Sequence, residues 1–148
     1  MVDGMRPNKW MIVVAVAAII AIGYIFHVSG STSKNKPEKD LPKIIYDYTP
    51  YKFEKALKSG MPTLLEFAAD WCIPCRRMAP FMKELKEEYR GKANILTVNA
   101  DTELDLVKEY GVRNLPTLIF FNKKGELFRT LVGYQSKETI KNVLDELV

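Results

Sequence analysis

The sequence predicts an α/β fold, a mixed central β-sheet flanked by helices, with one N-terminal transmembrane helix before it. Three observations carry this. From residue 43 onward, short apolar runs alternate with capped amphipathic segments in the order β-α-β-α-β-α-β-β-α, which argues a sheet with helices on both faces. The last two strands are split by a short turn, so they form a hairpin. Residues 10–28 contain no Lys, Arg, Asp or Glu.

The elements follow in order. Ile44, Ile45 and Tyr46 make a short apolar candidate strand. Thr49 before Pro50 reads as an N-cap with proline at the first helical position, opening a helix through Leu57. Ser59 and Gly60 end it. Residues 63–68 read as a buried strand. A long helix from about Cys72 to Tyr89 places Met78, Phe81, Met82 and Leu85 at helical spacing, and Pro80 is expected to kink it. Residues 95–99 form the next strand, and Thr102 to Tyr110 a helix closed by Gly111. Residues 117–121 and 127–132 are hairpin partners around a turn at 122–125. Ser136 caps a final amphipathic helix through Leu147. No internal repeat is visible.

The chain of 148 residues fits one domain and an appendage. Roughly a hundred residues after the appendage suffice to bury a single core without staples. The net charge of +4, from 22 basic and 18 acidic residues, is mild. Arg76-Arg77 and Lys123-Lys124 are too short to be patches, so no nucleic-acid partner is expected.

Residues 10–28, as a helix, rise about 28 Å, close to the hydrocarbon thickness of a bilayer. Trp10 and Tyr24 lie near its two ends, where amphipathic rings prefer the interface. His27, the single histidine, sits at the edge and has no partner at its depth, so no metal or catalytic role is assigned to it. A cleaved signal peptide is the competing reading, with small residues at Ser29 and Gly30. The apolar run exceeds the usual signal core, which favours an uncleaved anchor. Basic residues flank both sides, so the positive-inside count does not decide orientation. Arg6 and Lys9 lie nearer the apolar boundary and are expected to stay in the cytosol. The expected organisation is a tail at 1–9, a transmembrane signal-anchor at 10–28, a polar linker at 29–42 and a folded domain at 43–148. The domain is expected outside the cytoplasm, held to the cell membrane by a single pass. A linker of that length spans at most about 50 Å.

The chemistry is carried by Trp71-Cys72-Ile73-Pro74-Cys75. These are the only cysteines in the chain. Two cysteines within one turn do not build a disulfide scaffold; they are expected to oxidise and reduce each other. A strand running into a helix places Cys72 at the helix N-terminus, where unpaired N–H groups and the dipole favour a thiolate. Cys72 is therefore expected to be the exposed nucleophile. Cys75, one turn further in, is expected to be more buried and to resolve the mixed disulfide. Pro74 suits the first helical turn, where a missing N–H costs nothing. Glu66, mid-strand among apolar residues, is the candidate acid–base group; burial would raise its pKa toward neutrality. The competing reading puts Glu66 on an exposed strand face. Pro116 opens a strand, and pattern alone leaves its peptide cis or trans.

The residues Phe67-Ala68-Ala69-Asp70-Trp71-Cys72-Ile73-Pro74-Cys75, Met78-Ala79-Pro80, Val98-Asn99-Ala100-Asp101, Tyr110-Gly111-Val112-Arg113-Asn114-Leu115-Pro116-Thr117 and Gly133 occur in order and at family-like spacing. Over residues 44–148 the chain resembles the thioredoxin family. The resemblance implies the thioredoxin fold, a cis bond before Pro116, and Leu115 and Pro116 beside the cysteines. It implies that Trp71 flanks the site and packs against it. Trp71, Ile73, Pro74, Leu115 and Pro116 are the expected substrate-binding residues; Cys72, Cys75 and Glu66 are the expected catalytic ones. Three departures matter. Ile73-Pro74 replaces the usual Gly-Pro and withholds the redox poise. Glu66 stands where the family usually has Asp. Thr97 stands where a strand lysine often accompanies that acid, so Glu66 is expected to be easier to keep protonated.

The expected function is a membrane-anchored thiol–disulfide oxidoreductase acting on protein thiol and disulfide substrates, in the reducing direction. It needs no cofactor beyond its own dithiol and no metal, and a membrane-embedded thiol reductase would be its electron donor. Competing readings are a disulfide-forming oxidase and a non-catalytic binding or chaperone module. A zinc module is disfavoured, because a structural site needs four ligands and the chain offers two cysteines.

Overall fold

Six residues, Thr63–Ala68, are buried without exception, although one of them is a glutamate. A strand buried on both faces belongs in the middle of a covered sheet, and that is its place. The computed structural model describes Ala17 and residues 41–148. Strand β1 (Thr63–Ala68) pairs in parallel with β2 (Asn94–Asn99) and antiparallel with β3 (Thr117–Phe121). Strand β4 (Leu127–Val132) pairs antiparallel with β3, giving a four-stranded mixed sheet in the order β2-β1-β3-β4.

Four helices cover the two faces: α1 (Pro50–Leu57), α2 (Ile73–Glu88), α3 (Leu104–Glu109) and α4 (Lys137–Leu147). Side chains alternate along β1. Leu64 joins Met78, Met82 and Leu85 of α2 and Ile140 and Leu144 of α4 in one core layer. Leu65 and Phe67 join Phe53 of α1, Val98 and Phe121 in the other, with Val107 of α3 against them. The alternation sends Glu66 to the same side as Leu64 and Ala68, beneath α2.

The caps follow the expected chemistry. The Thr49 side chain accepts from the Lys52 N–H at 3.2 Å, with Pro50 at the start of α1. The Ser136 hydroxyl accepts from the Thr139 N–H at 3.1 Å at the start of α4. Helix α2 continues through Pro80. In the hairpin turn, the Asn122 side chain accepts from the N–H groups of Lys124 and Glu126. Gly125 follows at φ 78°, where an added Cβ would lie 2.9 Å from the Leu57 carbonyl oxygen.

Three expectations need correction. Ile44, Ile45 and Tyr46 do not form a strand. The outer edge of β2 at Thr97 is occupied instead: its N–H donates to the Asp47 carboxylate at 2.8 Å, and its carbonyl accepts from the N–H groups of Asp47 and Tyr48. A side chain has taken the place of a ladder partner, so no pairing propagates. Helix α3 is shorter than expected, because the N–H groups of Thr102 and Glu103 turn back to the Asn99 carbonyl. Leu41 and Pro42, expected in the linker, are tied to the domain: their carbonyls accept from the Arg76 guanidinium at 2.6 and 3.5 Å.

The expected tail at 1–9, membrane segment at 10–28 (apart from Ala17) and linker at 29–40 lie outside the described residues. Among the described residues, no helix is long and apolar enough to cross a membrane.

Two glycines with similar backbone angles separate conformation from space. Gly91 has φ 75° and open surroundings, whereas Gly125 meets Leu57. Gly91→Ala should cost about 1 kcal/mol, the price of a left-handed residue. Gly125→Ala should cost more than Gly91→Ala, because the α1 backbone must also move. Urea unfolding of the two variants checks the ranking.

Candidate active site

The strand-to-helix junction after β1 builds the site. Cys72 is the N-cap of α2, with extended backbone angles of φ −77° and ψ 99°. Its carbonyl accepts the first helical bond from the Arg76 N–H at 3.0 Å. Its sulfur accepts from the Cys75 N–H at 3.2 Å. This is the capping geometry normally made by a serine or aspartate oxygen. It points a backbone donor and the positive end of a 16-residue helix at the sulfur. Such a setting lowers the free energy of a thiolate and so promotes nucleophilic attack. Pro74 lies in the first turn, where no N–H is missed.

Cys72 and Cys75 are joined in a disulfide. Both are buried, Cys72 at 3 % exposure and Cys75 at 0 %. The expectation of an exposed Cys72 therefore fails for the oxidised form. Ala68, Ala69 and Ile44 close over the pair, with Leu115 packed against the same cluster. Ile73 and Pro74 are half-buried, and Pro116 is buried. The Leu115–Pro116 peptide is cis. The Pro116 carbonyl accepts from the Gly133 N–H at 2.8 Å, tying the loop before β3 to the end of β4.

Trp71 flanks the cysteines and is 67 % exposed. Its indole N–H lies 3.1 Å from both carboxylate oxygens of Asp101, which holds the ring at the surface beside the cysteines. On the other side, the Tyr46 hydroxyl donates to Asp70 at 3.1 Å. Burial, together with the Asp70 charge, pushes that phenol well above its usual pKa.

Glu66 is 2 % exposed, which removes the exposed-face reading. Burial pushes its carboxyl up from 4.5 to about 7. The Thr97 hydrogen bond and the Lys86 charge oppose that rise, and the Asp47 charge adds to it. The Thr97 hydroxyl donates to Glu66 at 3.0 Å. The expected lack of a cation near Glu66 is also corrected. Lys86, on α2, donates to the Thr97 hydroxyl at 3.0 Å and to Asp47 at 2.8 Å. Strand β2 carries no lysine here, but the helix above it does.

Sequence reasoning missed Lys86 and Asp47. Lys86 did carry a signal: Met78, Met82 and Lys86 are spaced by four along one ridge of α2, and the two methionines are buried. A lysine continuing a buried ridge reaches toward the sheet. Asp47 carried none, since its role depends on an edge supplied by a distant strand. Among the described residues, no group of three or more His, Cys, Asp or Glu side chains has the arrangement of a metal site.

Comparison with known proteins agrees with this geometry. The family model described as Thioredoxin matches residues 45–146. Thioredoxin 1 of Synechococcus elongatus is 38 % identical over 93 residues, which cover 63 % of this chain and 86 % of that protein. A thioredoxin of Alicyclobacillus acidocaldarius is 35 % identical over 100 residues, covering 68 % of this chain and 94 % of the relative. Among solved structures, a mutant thioredoxin from Halobacterium salinarum superposes with a TM-score of 0.63 at 28 % identity, covering 71 % of this chain and 90 % of that one.

The raised pKa of Glu66 links stability to pH. Between its ordinary value of 4.5 and about 7, the folded chain holds a proton that the unfolded chain releases. The folded state therefore binds more protons, and stability falls as pH rises through that window. The stability lost should total about 3 kcal/mol by neutral pH, with none of it lost below pH 4.5. Glu66→Gln should flatten this part of the profile, as read by urea unfolding at successive pH values on the oxidised protein.

Proposed function

This chain belongs to the thioredoxin family and is a thiol–disulfide oxidoreductase; from that premise we propose that it is a membrane-anchored reductant of protein disulfides. The observation that carries the catalytic part is the Cys72–Cys75 disulfide at the start of α2, with the Cys72 sulfur in the capping position.

In the proposed cycle the reduced protein meets a client disulfide at the rim formed by Trp71, Ile73, Pro74, Leu115 and Pro116. The Cys72 thiolate attacks one client sulfur. A bond forms between Cys72 and that sulfur, the client S–S bond breaks, and a client thiolate leaves. Cys75 then gives its thiol proton to the Glu66 carboxylate. Its thiolate attacks the Cys72 sulfur, forming the intramolecular disulfide and releasing the second client thiolate. Two electrons have passed from the protein dithiol to the client. Glu66 returns its proton when a donor dithiol reduces the Cys72–Cys75 bond. Its pKa of about 7 supports this role, since a group poised near neutrality can accept and release a proton at similar cost.

The reducing direction is supported by the likeness to thioredoxins over most of the length of the relatives. The anchor rests on residues 10–28, free of Lys, Arg, Asp and Glu and long enough to span a bilayer. With the domain outside the cytoplasm, a membrane-embedded thiol reductase would supply electrons, and clients would lie close to the membrane surface.

The full chain should reduce insulin disulfides when supplied with a dithiol donor. Cys72→Ser should abolish the activity, and Cys75→Ser should accumulate a mixed disulfide with the client. Because Ile73-Pro74 leaves the redox poise open, the reduction potential decides the direction: a value near about −270 mV would fit a thioredoxin-like reductant, and one near about −120 mV would make the protein an oxidant. For topology, Ser33→Cys should react with a membrane-impermeant thiol reagent in intact cells. Labelling only after lysis would place the domain in the cytoplasm.

A further inference from the structure

The cycle above leaves Lys86 and Asp47 without a task. In the register of β1 with β2, Thr97 lies opposite Glu66. Thr97 is as buried as Glu66, at 2 % exposure. Its hydroxyl donates to Glu66 Oε2 at 3.0 Å and accepts from Lys86 Nζ at 3.0 Å. Asp47 brackets the arrangement: Oδ2 accepts from Lys86 Nζ at 2.8 Å and Oδ1 from the Thr97 N–H at 2.8 Å. The line runs outward, from a buried acid to a pair whose side chains are 22 % (Lys86) and 31 % (Asp47) exposed. All four residues border a cavity of about 320 Å³ between α2 and the segment before α1. That volume holds several waters, each occupying about 30 Å³.

A hydroxyl has one proton to direct. While the Lys86 ammonium donates into the Thr97 oxygen, the Thr97 proton is aimed at Glu66. Glu66 then serves as acceptor, which suits its carboxylate form. Without Lys86, the hydroxyl is free to turn and accept from a protonated Glu66. An ammonium has no lone pair, so it cannot take the Glu66 proton onward. The cavity beside Glu66 is large enough for water to carry that proton to solvent.

We propose that Lys86 is a positioning residue for Glu66: held by Asp47 and acting through Thr97, it keeps the buried acid available as the carboxylate that accepts the Cys75 proton. The proposal rests on reading Glu66 as that acceptor. The titratable and charged groups around Glu66 are Lys86 and Lys83 from α2 and Lys43 and Asp47 from the segment before α1, all lining the same cavity, with the Tyr46 phenol close enough to feel the Glu66 charge; β2 presents Thr97 and β3 the apolar Leu118. Asp47 has two opposed effects, since it orients Lys86 while its own charge disfavours a second carboxylate. Lys86 is therefore the residue to vary.

The test follows the ionisation of Glu66 directly. The full chain, purified in detergent with ¹³C-carboxyl glutamate, is titrated in its disulfide form so that no cysteine titrates. The Glu66 signal is assigned by its loss in Glu66→Gln. Lys86→Met should raise the Glu66 midpoint by about one pH unit, a tenfold weaker acid. Lys86→Arg should return it close to the parent value. Thr97→Val should also raise it, and in that background Lys86→Met should add a smaller shift than in the parent. An unchanged midpoint in Lys86→Met, or equal shifts in both backgrounds, overturns the proposal. Lowered stability with an unmoved midpoint would make Lys86 a brace of the fold only. Insulin reduction is read in parallel, and its pH profile should move upward with Lys86→Met. If the parent reduces no insulin, the functional reading fails, while the midpoints still decide the role of Lys86.

Discussion

A carboxyl group in the central strand of a sheet must be protonated, paired or hydrogen-bonded, and much of this domain is arranged around that demand. Leaving such a group charged and unpartnered in an apolar interior would cost several kcal/mol. Glu66 meets the cost with one direct bond, from Thr97, and a cation one step removed. That is enough to keep it ionisable near neutrality and too little to keep it permanently charged. The same partners shape the neighbourhood. Asp47 occupies the free edge of β2, which ends the sheet there and turns the chain toward α1. Lys86 links the last turns of α2 to that edge.

The second constraint is the junction between β1 and α2. A helix that starts directly after a buried strand leaves its first N–H groups without helical partners. A sulfur at the capping position meets one of them, and in doing so acquires the surroundings of a reactive thiol. Structure and reactivity have the same cause here. Glu66 and Ala68 share a face of β1, and Ala68 packs against both cysteines. The strand thus delivers an acid and a dithiol to the same side of the sheet by its two-residue period.

Local chemistry made most of the fold legible. Strand β1, the hairpin and the caps at Thr49 and Ser136 are short-range features, set by apolar runs, turn residues and side-chain acceptors near in sequence. Cys72, Cys75 and Glu66 were legible for the same reason, standing out by type against their neighbours. The segment at Ile44 to Tyr46 was misread because its apolar residues look like a strand, while pairing depends on an edge that Asp47 had already filled. The resemblance put Trp71 beside the site, and only the position of Asp101, 30 residues away, shows how its ring is held at the surface.

From the order of residues alone came the alternation of elements, the dithiol at a helix start, the acid in a buried strand and an apolar segment long enough for a bilayer. Each is written in a pattern spanning a few residues or one helix. The cation beside Glu66, the burial of Cys72 in the disulfide form and the end of the sheet at Thr97 came from the folded chain. Each of these depends on which distant groups arrive at one point. Lys86, Thr97 and Asp47 belong to a helix, a strand and an irregular segment, and their hydrogen bonds exist only once the sheet has closed beneath α2.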